Sequence, residues 1–238
     1  MRMGMTGAVL TTTLVVSGLL AVGYWRNEVA ASVISPEIEA LTAAPPETEV
    51  RTFAVQVDGK PSGTYTITSR KTDEVITVTN SADVLVRKGP FRYQYTFRSS
   101  ENWKEGRVTA FESTTNDDGK RKTAKGTATA DGLTITANGV IRAGRSNVLT
   151  TTGWVPPGPK TQDAILLDTE EGTETAVKVQ ALGPCQVVVN GKVTPGQKYR
   201  LTGTGIDTEW WFDTNDRPIH QRMMWDGHKV VLDLTAVR

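Results

Sequence analysis

From Thr52 onward, apolar side chains fall on every second position. The segments TFAVQV, GTYTITS, EVITVTN, FRYQYTF, RVTAFEST, GLTITANG, TAVKVQ and CQVVV all alternate apolar with polar or small residues. That period matches a strand with one buried and one solvated face. Between the segments stand Asp58-Gly59, Asp118-Gly119, Asp131-Gly132, Asn138-Gly139, Asn190-Gly191 and Asp226-Gly227. Such pairs supply the positive φ of two-residue hairpin turns. Many local turns predict an all-β antiparallel meander, each strand pairing with the next, rather than parallel βαβ units. Residues 52–238 are expected to form one domain, a long curved sheet that closes into a half-barrel or incomplete barrel. One break interrupts the pattern. Gly153-Trp154-Val155-Pro156-Pro157-Gly158-Pro159 cannot be a strand interior. The following TQDAILLD reads as a short helix capped by Thr161 or as a strand, with the helix favoured.

The pattern differs before residue 52. Met3 to Trp25 holds no charged residue, with the core GAVLTTTLVVSGLLAVGYW. Residues 1–26 are therefore expected to be a transmembrane anchor or a signal peptide, and the run is long enough to span about 30 Å of hydrocarbon. Tyr24-Trp25 at its end favours the anchor; small residues at Ala21-Val22-Gly23 and Val29-Ala30-Ala31 fit signal cleavage. Either way the domain is expected outside the cytoplasm, membrane-anchored, periplasmic or secreted. Residues 27–51, with Pro36, Pro45, Pro46 and several acids, read as a flexible linker.

Charge and composition narrow the function classes. Lys and Arg total 27 against 26 Asp and Glu, interspersed along the chain, so no basic nucleic-acid surface is expected. The single cysteine, Cys185, excludes an intramolecular disulfide and reads as a small core residue. No phosphate-cradling loop, H-E-x-x-H or G-x-S-x-G occurs. No cofactor or metal is implied.

The chemistry-bearing residues concentrate in EWWFDTNDRPIHQRMMWDGHKVVLDL, Glu209 to Leu234. A two-residue turn at Asp226-Gly227 makes paired positions sum to 453, setting His220 opposite Asp233. A turn at Asn215-Asp216 makes pairs sum to 431, setting Trp211 opposite His220 and Glu209 opposite Arg222. One face then carries Trp210, Phe212, Ile219, Gln221, Met223, Trp225, Val230, Leu232 and Leu234, a core face. The other carries Glu209, Trp211, Asp213, His220, Arg222, Met224, Lys229, Val231 and Asp233. A slip of one residue would exchange the two faces. His220 and His228 lie on opposite faces and cannot share a metal ion. A His220–Asp233 pair can tune an imidazole for proton transfer, but no Ser or Cys stands beside it. As a cross-strand pair it is ordinary sheet chemistry.

Two other clusters stand out. Glu101, Trp103 and Arg107 surround a turn at Glu105-Gly106. They form either a ligand-facing corner or a hairpin in which Glu101 or Glu105 pairs with Arg107. Lys120-Arg121-Lys122 follows Asn116-Asp117-Asp118-Gly119. Its two arms attract each other across a hairpin, or the cations meet anionic lipid headgroups or cell-wall polymer.

Glu101-x-Trp103-x-x-Gly106-Arg107, the Thr-rich Ser113–Lys120 hairpin, Trp210-Trp211-Phe212-Asp213, Arg222 and Asp226-Gly227 together resemble an uncharacterised bacterial family of exported proteins (domain of unknown function 6134). The likeness spans roughly residues 52–236. It implies an all-β envelope protein and brings no established activity or site. By analogy of fold alone, it is similar to curved half-barrels that shelter lipids. Three readings follow. The first is a non-catalytic module binding a hydrophobic small molecule or lipid, with Trp103, Trp154, Trp211 and Trp225 as candidate contacts. The second is a structural or protein-interaction domain presenting a sheet edge or the Trp154–Pro159 loop. The third is a hydrolase using His220 and Asp233, with Arg222 stabilising an anion.

Overall fold

The computed structural model describes residues 48–238, and all fifteen elements among them are strands. The expected anchor or signal segment and most of the linker lie outside the described residues. The first four strands are β1 (Thr48–Val57), β2 (Lys60–Thr72), β3 (Val75–Lys88) and β4 (Phe91–Lys104). Next come β5 (Arg107–Asp117), β6 (Lys120–Thr129), β7 (Gly132–Ala137) and β8 (Val140–Gly144). The short β9 (Leu149–Thr150) and β10 (Asp163–Asp168) lead to β11 (Thr173–Val189) and β12 (Lys192–Gly203). The chain ends with β13 (Ile206–Asp213), β14 (Pro218–Trp225) and β15 (His228–Val237). Strand β1 thus begins at Thr48 and takes in the last four residues of the expected linker, because Thr48 to Val57 ladder onto β2 and Arg51 to Val57 also onto β15.

All strands join one sheet in the order β8-β7-β6-β5-β4-β3-β2-β1-β15-β14-β13-β12-β11-β10-β9. Two antiparallel meanders run outward from the middle, where the first and last strands pair from Arg51–Val237 to Val57–Val230. The expected meander is therefore correct within each half. Two features depart from it: the β1–β15 join, and a parallel β9–β10 pair, Leu166 opposite Leu149.

The turns follow the local chemistry. Asp58, Asp118, Asn138, Asn190 and Asp226 have φ near +50°, each followed by a positive-φ glycine. Only the Asp131-Gly132 site is displaced: the turn is Ala130-Asp131, and Gly132 opens β7.

Alternate side chains bury an inner face. Phe53, Ile67, Val78, Phe97, Trp103, Phe111 and Ile135 lie in one cluster, and Leu149, Leu166, Tyr199, Leu201, Trp210 and Phe212 in another. The sheet does not close edge to edge. Its β9 end tucks inside instead, and β10 lies between the clusters. Leu166 belongs to one and Leu167, fully buried, to the other. This explains the error over TQDAILLD. A strand buried on both faces shows a continuous apolar run, without the alternation that identifies a strand. The β10–β11 turn rests on the inner face of β5 to β7, with Ser113 Oγ donating to Thr169 O at 2.5 Å and Gly172 seated against Ile135 and Ala137.

The described residues make one compact unit with its own core, the anatomy expected of a domain that folds by itself. Close strand approach requires glycine at Gly63, where an added Cβ would lie 2.0 Å from Asp83 O. Gly63→Ala is expected to lower unfolding free energy by about 1–3 kcal/mol through this backbone clash, read as a shift of the urea midpoint.

Candidate functional site

The strands bring their ends to two rims. One holds the β1–β2, β3–β4, β5–β6, β12–β13 and β14–β15 turns, and a pocket of about 250 Å³ opens there. Its wall is the inner face of β1 to β4 (Val55, Val57, Tyr65, Ala82, Val84, Tyr95, Phe97), of β13 to β15 (Trp210, Met223, Trp225, Val230, Leu232), and Leu166 of β10. The lining is mostly apolar because period-two alternation sends these residues inward. Trp225 packs edge-on against Tyr95 at 5.2 Å between centroids and tilts against Tyr93 at 6.1 Å. Four strands separate β4 from β14 in the sheet, so this contact measures how far the sheet curls.

Polar groups collect on one side of the pocket: Asp168, Glu170, Thr151, Thr152, Thr208 and Gln221. Tyr95 Oη donates to Glu170 Oε1 at 2.6 Å. Burial pushes the Glu170 carboxyl above its ordinary range, and burial with the Glu170 charge does the same to the Tyr95 hydroxyl. Gln221, 2% exposed, donates from Nε2 to Thr152 O at 3.3 Å.

Below the pocket lies Glu101, wholly buried on β4. Its carboxylate accepts from Thr152 Oγ1 at 2.7 Å, Trp103 Nε1 at 3.0 Å and Thr150 Oγ1 at 3.1 Å. These bonds hold edge strand β9 and the following loop onto the inner face of β4. Burial outweighs the three donors and pushes the carboxyl up to about 7 from an ordinary 4.5.

On the outer face the register matches the sequence reading. Trp211 faces His220, Glu209 faces Arg222, and His220 faces Asp233. The hairpin turn is longer than the expected Asn215-Asp216 pair. A bulge between Trp211 and Phe212 puts Phe212 opposite Pro218, and Asp213 Oδ1 accepts from the Asn215 and Arg217 backbone N–H groups. His220 Nδ1 lies 2.7 Å from Asp233 Oδ1, and Gln56 Nε2 donates to Asp233 Oδ2 at 3.0 Å. The imidazole meets Trp211 edge-on at 4.4 Å, and Lys198 Nζ stands 4.5 Å over the same indole. Glu209 is nearly buried between Lys198 and Arg222. Burial lowers the His220 pKa below its usual value although Asp233 opposes this.

The model of a domain of unknown function, DUF6134, matches residues 53–235. The chain belongs to the DUF6134 family. Among solved structures, the DUF6134 chain is similar to a beta-barrel-like protein of domain of unknown function DUF1849 from Brucella abortus. The TM-score is 0.58 at 8% identity, covering 82% of this chain and 98% of the other. At that identity the likeness concerns the fold. No curated protein matches the sequence.

The DUF6134 fold separates the residues singled out by sequence. Glu101 and Trp103 stay together but in the core, and Trp103 is 2% exposed. Arg107 is exposed beyond the Glu105-Gly106 turn; Glu101 makes its bonds inward, and among the described residues neither Glu101 nor Glu105 forms the expected ion pair with Arg107. Trp154, expected on a partner-binding loop, is also 2% exposed, with the Arg217 guanidinium 4.7 Å from its ring. Trp211, His220, Arg222 and Asp233 share the outer face, away from the pocket. Among the four candidate tryptophans, only Trp225 lines it. Cys185, expected in the core, is half-buried. Lys122 meets Asp117 at 3.5 Å, as the hairpin reading expects, and reaches Glu171 at 2.8 Å. Among the described residues, no group of three or more His, Cys, Asp or Glu has metal-binding geometry.

Sequence reading missed Tyr93, Tyr95 and Glu170. The signal for the tyrosines was present: in FRYQYTF, Phe91, Tyr93, Tyr95 and Phe97 occupy alternate positions and share one face. Glu170 carried no such signal, because it enters the pocket on a turn.

Two outcomes are expected. A carboxyl whose folded pKa is raised adds stability below its unfolded pKa and loses it as pH rises through the folded one. Wild type is therefore expected to lose on the order of 3 kcal/mol relative to Glu101→Gln between about pH 4.5 and 8, measured by urea unfolding of both proteins. For His220 the depressed pKa has the opposite sign, with stability lost as pH falls. Its imidazole is expected to titrate by NMR below the free-imidazole value, and Asp233→Asn to lower it further.

Proposed function

We propose that this DUF6134 domain is a non-catalytic binding module of the cell envelope that holds a slender hydrophobic ligand, such as a lipid acyl chain, within its curled sheet. The observation that carries the reading is an apolar pocket with an open mouth at Trp225, between Met223, Val57, Val84 and Phe97. A domain with no ligand to hold gains by filling such space with side chains, since voids forfeit contact energy. At about 250 Å³ the pocket lies just below the range of about 300–1,000 Å³ usual for drug-sized ligands, which favours one chain over a fused-ring molecule. Asp168, Glu170 and Gln221 supply the few convergent polar groups that orient a ligand's polar end.

The outer-face pair supports a structural role. His220 is bonded to Asp233 and packed on Trp211; no hydroxyl or thiol is among its hydrogen-bond partners in the described residues. A triad requires one within reach.

Native mass spectrometry of the domain, purified after export, tests the proposal. A discrete extra mass that disappears on denaturation is expected. Ala82→Phe, which fills the pocket, is expected to abolish it and to weaken binding of added palmitoleate at least tenfold, followed through tryptophan emission. A bare polypeptide mass, with palmitoleate leaving the emission of wild type unchanged, would transfer the weight to a structural or protein-interaction domain.

A further inference from the structure

We propose that the rim around the pocket mouth is a docking surface for a bilayer carrying anionic lipid headgroups. The inference goes beyond the binding reading and does not depend on what the pocket holds.

The β3–β4 turn reads Arg87-Lys88-Gly89-Pro90-Phe91-Arg92, and no Asp or Glu occurs from Val84 to Tyr95. All six of these residues are exposed. Phe91, at 77%, is the most exposed of the large apolar side chains among the described residues. It is not an isolated surface residue. Alternation places it on the same face as Tyr93 and Tyr95, so the aromatic row that lines the pocket continues outward past the rim. Trp225, 40% exposed, packs on Tyr93 and Tyr95, and Met224 beside it is 48% exposed.

The neighbouring β5–β6 turn extends the basic surface. Asp118 N donates to Gln94 O at 2.8 Å, which ties that turn to β4 next to Arg92. It adds exposed Lys120 and Arg121. Arg87, Lys88, Arg92, Lys120 and Arg121 make no ion pair among the described residues; Arg92 donates only to Gln94 Oε1 at 3.1 Å. Two acids of the same rim are already engaged. Asp58 bonds His228 Nδ1 at 2.7 Å and accepts from Lys229 N at 3.0 Å, and Asp117 accepts from Tyr93 Oη at 2.8 Å.

Unpaired cations around a protruding aromatic side chain match a lipid interface, where the guanidinium and ammonium groups meet headgroup phosphates and the ring sits at the acyl boundary. The patch is made of projecting turn tips rather than a groove, which suits a deformable bilayer better than a folded partner. Docking in this way directs the mouth at Trp225 toward the membrane, so an acyl chain could pass between bilayer and pocket with little exposure to water.

Flotation of residues 44–238 with vesicles provides the test, because the N-terminal apolar segment would bind lipid by itself. Co-flotation is expected with phosphatidylcholine vesicles containing roughly a third phosphatidylglycerol, and weak flotation with phosphatidylcholine alone or at high salt. Each cation near such a surface changes partitioning about fivefold, so the Arg87→Glu, Lys88→Glu, Arg92→Glu triple variant is expected to lose at least tenfold. Phe91→Ala, with every charge kept, is expected to lose about threefold or more. All four positions are exposed at the strand ends that flank the Gly89-Pro90 turn, and matching thermal unfolding confirms intact folding. The proposal is overturned if wild type stays unbound with anionic vesicles, or if the triple variant floats as well as wild type. Flotation that Phe91→Ala leaves unchanged would mean adhesion by charge alone, and would overturn docking through the aromatic rim. Ala82→Phe is expected to float like wild type, so failure of the pocket reading and failure of docking give different results.

Discussion

The hydrogen-bonded ladder between the first and last strands is the constraint on which the rest of the molecule depends. Each meander, β1 to β8 and β10 to β15, is assembled by local turns and has an unpaired end at β1 or β15. Seven residue pairs from Arg51–Val237 to Val57–Val230 turn the two into one sheet. Only then do the inner faces of β1 to β4 and of β13 to β15 confront each other and enclose a pocket. Arg51 reinforces the join at its lower end. Nearly buried, it donates to Asp213 Oδ2 at 2.9 Å and to Pro218 O at 3.1 Å, linking β1 to the β13–β14 hairpin. Because closure unites residues almost 190 apart, it is a non-local pairing of the kind that slows folding.

A sheet of this length must also dispose of two edges. Edge β8 is short, five residues, and remains outside with Ile141 exposed. Edge β9 is carried inside, where Glu101 receives Thr150, Thr152 and the Trp103 indole. A fully buried carboxyl in that place makes the tuck sensitive to pH, since its charged form is the one burial penalises. The same tuck puts β10 between the two apolar clusters and lowers Glu170 into the pocket. Edge protection and the polar side of the pocket therefore have one structural cause.

The pocket and the basic rim are coupled through a single strand. Along β4, alternate residues run from Trp103 and Glu101 in the core, through Phe97 and Tyr95 at the pocket, to Tyr93 at the mouth and Phe91 in solvent. The proposed ligand site and the proposed docking rim thus share one continuous aromatic face. The outer face has a different character: cross-strand pairs such as Glu209–Arg222 and His220–Asp233 stabilise the last hairpins without meeting the pocket.

By itself the sequence determined what rests on alternation and turn chemistry. The all-β class, the meandering halves, five of six Asp/Asn-Gly turns and the His220–Asp233 pairing follow from neighbours along the chain, whereas Trp211 faces His220 because a bulge offsets a turn longer than expected. A hairpin register propagates from its turn, and side-chain period then assigns the faces. Tertiary structure decided whatever depends on residues far apart. The β1–β15 join, the inward tuck of β9 and the burial of both faces of Ala164–Leu167 have no local signature. The same holds for the site. Trp103, Trp154, Trp211 and Trp225 are chemically alike in sequence, yet curling of the sheet left only Trp225 at a cavity, sent Trp211 outside and sealed the other two in the core. Turns encode pairing, which is local; closure sets which inner surfaces meet, and only that meeting makes a pocket.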